Sequence, residues 1–164
     1  MGSIIRREEL RQADRSKLIP HIDYLEKELS FLSEYEREID WKVYQSQRGK
    51  RLEIERWVEC LINATLDISK MLLTIREEEI PETSREVLFQ IGSHIYNREK
   101  EAETFSELAK IRNTLAHRYL DIRWGDIKRF FQIVPKLYPS FLDYINKEME
   151  IAEGNETDQI NHTI

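Results

Sequence analysis

Arg112-Asn113-Thr114-Leu115-Ala116-His117-Arg118-Tyr119 gathers a guanidinium, a carboxamide, an imidazole and a phenol within one short stretch. A guanidinium keeps its charge at any working pH and offers a planar fork to phosphate oxygens. An imidazole titrates near neutrality, so it can carry a proton to or from a reacting oxygen. The Asn113 carboxamide can orient that ring or donate to a phosphate. Set beside a phenol, the group as a whole suits a phosphodiester.

These side chains need a scaffold, and the apolar residues around them provide a helical one. Leu108, Ile111, Leu115 and Ala116 recur at helical spacing, which predicts a helix from about Thr104 to Arg118 with its inner face on a core. On such a helix Arg112 and Tyr119, seven residues apart, share nearly one stripe about 10.5 Å long. Asn113 and His117, four apart, are neighbours on the next stripe. The competing reading is structural: Arg112 pairs with Glu103 or Glu107, and Tyr119 packs at a helix end with its hydroxyl on backbone.

The rest of the chain reads as further helices. Leu10, Leu18, Ile22, Leu25, Leu29 and Leu32 predict a helix over about 6–37, with a kink or break near Ile19 at Pro20. Asp40 is placed to cap a short helix over Trp41, Val43 and Tyr44, which Gly49 ends. The most apolar stretch, about 50–76, carries Leu52, Val58, Leu61, Ile62, Leu66, Met71, Leu72 and Ile75 on more than one stripe, the pattern of a central helix. Asn63 and Asp67 interrupt it and read more readily as hydrogen bonds across helices than as chemistry. Thr83 stands three residues before Glu86, a capping box that opens a short helix through Val87, Leu88 and Ile91 to a stop at Gly92. Residues 93–102, with His94 and Tyr96, read as a polar connector. A last helix over about 125–153 should bend at Pro135 and Pro139, and 154–164, which includes His162, reads as a disordered tail. The fold class is therefore all-α, an up-and-down bundle of about five helices in a single domain over 1–153.

Composition narrows the function classes. The chain has 164 residues, enough for one domain with a real core, and a net charge of −6 argues against a general nucleic-acid coat. Within 110–129, however, six basic residues face only Asp121 and Asp126. That local excess suits one short RNA segment, or else a solvated helix face. A single cysteine, Cys60, excludes an intrachain disulfide and a cysteine-based zinc site. No apolar run reaches the length of a membrane span and no signal segment opens the chain, so the expected location is cytoplasmic. No metal-ligand spacing or glycine-rich phosphate loop appears.

The R-N-T-L-A-H-R-Y octet resembles the R-x4-H-x-Y signature of the HEPN superfamily, specifically its HepT branch of prokaryotic toxins. The resemblance covers about residues 18 to 150. It implies the toxin of a type II toxin–antitoxin system, a metal-independent endoribonuclease that needs no cofactor. Arg112 and His117 would be the catalytic pair, with Asn113 in support. Tyr119 would accept AMP, from ATP, through a nucleotidyltransferase antitoxin. One imidazole per chain is short of the two proton transfers that RNA cleavage needs. The family's answer is a homodimer that brings two Arg/His sets to one groove, and Trp124, Phe130 and Phe131 are aromatics available for such an interface. The alternative is a catalytically inactive partner, a nucleotide-binding or regulatory subunit of a minimal nucleotidyltransferase.

Overall fold

The computed structural model describes residues 2–160, with side chains described over 11–150. Among the described residues there are seven helices and no strand: α1 (Gly2–Leu29), α2 (Leu32–Glu38), α3 (Trp41–Ser46), α4 (Arg48–Ile75), α5 (Ser84–Ile95), α6 (Glu99–Thr114) and α7 (Leu120–Ile160). The all-α bundle is as expected, but it has more and differently bounded helices than the sequence suggests.

The core forms around α4, which meets α1, α3, α5, α6 and α7. Ile54, Val58, Leu61, Ile62, Leu66, Ile68, Leu72 and Leu73 are buried on several of its sides, as a central helix requires. Leu52 is the exception, exposed near the start of the helix. Between α4 and α7, the buried hydroxyls of Thr65 and Tyr138 lie 2.6 Å apart, so neither is left without a partner.

The first predicted helix breaks after Leu29, not at Pro20. Pro20 lies inside α1, and it and Ser16 face solvent. Water can therefore serve the Ser16 carbonyl that loses its usual amide donor. The actual break follows at Ser30, whose hydroxyl donates to the Lys27 carbonyl at 2.6 Å. Asp40 does cap α3, accepting from the Val43 amide at 2.8 Å. Gly49 does not end it, because α4 has already begun at Arg48.

The capping box at Thr83 and Glu86 opens α5 as expected. Gly92 is not a stop. It is buried inside α5, where an added Cβ would come within 3.0 Å of the Ala102 Cα on α6. The absent side chain sets the close approach of the two helices. The expected ten-residue connector is correspondingly short: α5 runs to Ile95 and α6 begins at Glu99. Tyr96 is buried between them and its hydroxyl donates to the Leu137 carbonyl of α7 at 2.7 Å.

Two boundaries matter most for function. α6 ends at Thr114 instead of Arg118, and α7 starts at Leu120 instead of Gly125. Successive three-residue bonds, Ala116 N to Asn113 O at 3.3 Å and His117 N to Thr114 O at 2.9 Å, tighten the chain out of the helix. At the far end α7 continues past Gly154 to Ile160, whereas the sequence suggests a change of state at Gly154. His162 lies outside the described residues.

Candidate active site

Arg112 projects from the last turn of α6 into the space above α4 and the start of α5. Its guanidinium donates to Asn63 Oδ1 at 3.4 Å, to Ser84 Oγ at 3.2 Å and to Asn113 Oδ1 at 3.4 Å. The acceptors come from three helices, and all are neutral. Among the described residues Arg112 makes no ion pair, so neither Glu103 nor Glu107 neutralises it. Glu107 instead receives Arg129 through both carboxylate oxygens, at 2.8 and 3.0 Å. The Arg129 side chain and neighbouring positive charges hold the Glu107 carboxyl below its ordinary range.

Asn63 is thus a hydrogen bond across helices, as the sequence suggests, but its partner is the guanidinium of the signature. Ser84 is the residue that sequence reading misses. Its place as the first residue of α5 is visible from the capping box, yet nothing in a serine there announces that it meets Arg112. The start of α5 also brings the positive end of a twelve-residue helix beside Arg112, which favours an anion at the same spot.

His117 and Tyr119 are not on the helix with Arg112. Both stand on the turn between α6 and α7, exposed, with no side-chain hydrogen bond among the described residues. Tyr119 is 68% exposed, which rules out the packed helix-end tyrosine of the structural reading. The shared stripe of Arg112 with Tyr119 therefore does not form, because it required the helix to run on to Tyr119, five residues past the end of α6 at Thr114. The Asn113–His117 neighbour relation fails for the same reason: Asn113 turns to Arg112, not to the imidazole.

The turn is pinned from the α7 side. Arg123 Nη1 donates to Glu55 Oε2 of α4 at 3.1 Å, and the buried Tyr44 hydroxyl donates to Glu55 Oε1 at 2.5 Å. Burial, this bond and the carboxylate's charge push the Tyr44 phenol above its ordinary range. The Arg123 amide closes the first turn of α7 on the Tyr119 carbonyl at 3.3 Å. These pairings reduce the local excess of positive charge over 110–129, since Arg123 and Arg129 are matched by Glu55 and Glu107. Lys110, Arg112, Arg118 and Lys128 remain without an ion pair among the described residues. His94, the other histidine of interest, lies on α5 against Glu78 at 2.8 Å and serves as a strut, remote from this turn in the chain.

An unneutralised guanidinium in a fixed place can hold a phosphate, and an exposed imidazole on the adjoining turn can move a proton. A family model described as ribonuclease HepT-like matches residues 25–147, from the last turns of α1 well into α7 and across the whole octet. A comparison with curated proteins finds no match. Signature, helical architecture and matched span agree, and the chain belongs to the HepT-like ribonuclease family of HEPN-type proteins.

Proposed function

We propose that this protein is the toxin of a toxin–antitoxin pair and cleaves RNA internally without a metal ion, using Arg112 and His117. The observation that carries the reading is Arg112: three neutral acceptors steer it, and no carboxylate among the described residues takes its charge. The RNA 2′-hydroxyl loses its proton to an imidazole and attacks the adjacent phosphorus. Arg112 offers its fork to the non-bridging oxygens as their charge grows. The bond to the 5′-oxygen breaks, that oxygen takes a proton from a second acid, and a 2′,3′-cyclic phosphate remains. A homodimer supplies the second acid if the turns after α6 from two copies meet in one groove.

Control is proposed to act at Tyr119. Its phenolic oxygen attacks the α-phosphorus of ATP in a nucleotidyltransferase antitoxin, and pyrophosphate leaves. The attached AMP adds one negative charge beside the turn and competes with substrate phosphate for Arg112, while its nucleoside fills the groove. The exposure of Tyr119 supports this, because an enzyme can reach the hydroxyl without unfolding the chain.

The test is cleavage of a single-stranded RNA in EDTA, with product ends mapped. The unmodified protein should cut and leave cyclic phosphate ends. Arg112→Ala and His117→Ala should each lose about 10²- to 10⁴-fold in rate while keeping their helical content. Cleavage abolished by EDTA, or His117→Ala cutting at the normal rate, overturns the mechanism.

A further inference from the structure

Beside the turn lies a second surface feature that the proposed catalysis does not use. Tryptophan is on average a well-buried residue, and Trp57 obeys this at 5% exposure. Trp41 is 39% exposed and Trp124 is half-buried, and these two rings meet at 6.2 Å between centroids. Both rest on Tyr44, at 6.4 and 5.1 Å. Tyr44 is itself locked by Glu55, so the outer rings sit on a rigid base. The Lys128 ammonium lies 5.9 Å from the Trp124 ring centre. Trp124 is the fifth residue of α7, roughly 6 Å along the helix axis from Leu120, where the turn that carries Tyr119 ends.

Solvent-facing aromatic rings next to unpaired cations are what single-stranded nucleic acids bind: bases stack on the rings and phosphates meet the cations. We propose that Trp41 and Trp124 form a stacking platform for an unpaired base flanking the cleaved phosphate, with Lys128 and Arg118 meeting the strand's backbone. The proposal deepens the ribonuclease reading and rests on it. It makes single-stranded RNA the substrate class, because a base within a duplex has no free face to offer. Asp121 and Asp126 share this part of α7 with Lys128. Stacking must then supply more of the affinity than charge does, and binding should weaken only gently as salt rises.

The test titrates the full chain carrying His117→Ala, which blocks cleavage, with a labelled single-stranded RNA and with its duplex. Adding Trp41→Ala or Trp124→Ala should raise Kd for the single strand by about five- to one-hundred-fold. Trp41→Tyr and Trp124→Phe, which keep a ring, should retain most of the binding and guard against misfolding as the cause. In the parent protein, bound RNA should quench the fluorescence of the outer tryptophans and spare that of the buried one. An unchanged Kd in both alanine variants, or equal affinity for duplex, overturns the platform. So does conversion of a dimer to a monomer by these substitutions, which would make the face an interface between copies. If RNA cleavage by the unmutated protein is intact while the alanine variants bind normally, the platform alone falls. If the unmutated protein neither binds nor cuts RNA, the ribonuclease reading falls with it.

Discussion

A guanidinium held by two carboxamides and a hydroxyl differs from one held by carboxylates in what it can still bind. Arg129 is matched by both oxygens of Glu107, whereas Arg112 has direction but, among the described residues, no counter-charge. The fork itself should therefore matter. Arg112→Lys keeps the charge but not the planar pair of donors, and its single-turnover rate should lie closer to that of the alanine variant than to wild type. A lysine variant within about twofold of wild type would show that charge alone suffices. Tyr119 makes no comparable contact, so Tyr119→Phe should keep both fold and cleavage. Incubated with the cognate nucleotidyltransferase and ATP, the phenylalanine variant should gain no AMP mass at that peptide and stay active. Silencing of this variant through an adduct elsewhere would falsify the assignment of Tyr119.

Helix contacts explain both what the sequence reveals and what it hides. Gly92 lets α5 lie against the backbone of α6 at Ala102, and backbone cannot yield as a flexible side chain can. Gly92→Ala should destabilise the fold by roughly 1–3 kcal/mol through overpacking, read as a lower urea midpoint at unchanged slope. It should also disturb cleavage, because α5 and α6 together carry Ser84 and Arg112. From sequence the same glycine looks like a helix stop, since a glycine that ends a helix and one that admits a neighbour have the same local signature. Local rules do read correctly where the cause is local: Asp40 caps α3, and Thr83 with Glu86 caps α5. They fail where the cause is distant. Helical periodicity carries the signature through Arg118, but the Glu55–Arg123 pair, 68 residues apart, and the packing of Trp124 on Tyr44 anchor α7 from Leu120. The residue types of the candidate site were legible; their shared stripe was not. Phe130 and Phe131, which the sequence offers to a dimer interface, belong to the core for the same reason.

Across the whole molecule, two properties can be measured without any substrate. The first is assembly. One imidazole per proposed site predicts a homodimer at micromolar concentration, seen by light scattering, and a monomer that still cleaves RNA would sink the shared site. The second is the response to acid. Glu78, between α4 and α5, is bonded by Arg76, Gln90 and His94. Partial burial works to raise its carboxyl, but the hydrogen bonds from Arg76, His94 and Gln90 outweigh this and bring it from 4.5 down to about 2. A depressed folded value means that the unfolded chain binds the extra proton first as pH falls. The stabilisation is thus complete above about 4.5 and lost as pH drops towards about 2. Urea midpoints should fall over that window in the wild type, and Glu78→Gln should flatten part of the decline.

The break after Thr114 divides the proposed pair by mobility. Arg112 sits on a closed helix turn with three partners, so its torsions are restricted before any ligand arrives. His117 hangs from a turn with no hydrogen bond to its ring among the described residues, and as the proposed proton carrier it would have to order its rotamers on substrate. Ordering one exposed side chain costs about 0.5–1.5 kcal/mol, nearly all of it entropy. That loss falls on the proton carrier alone. On the proposed mechanism the phosphate would meet a cation already oriented by three acceptors, and ordering the imidazole would be part of binding substrate.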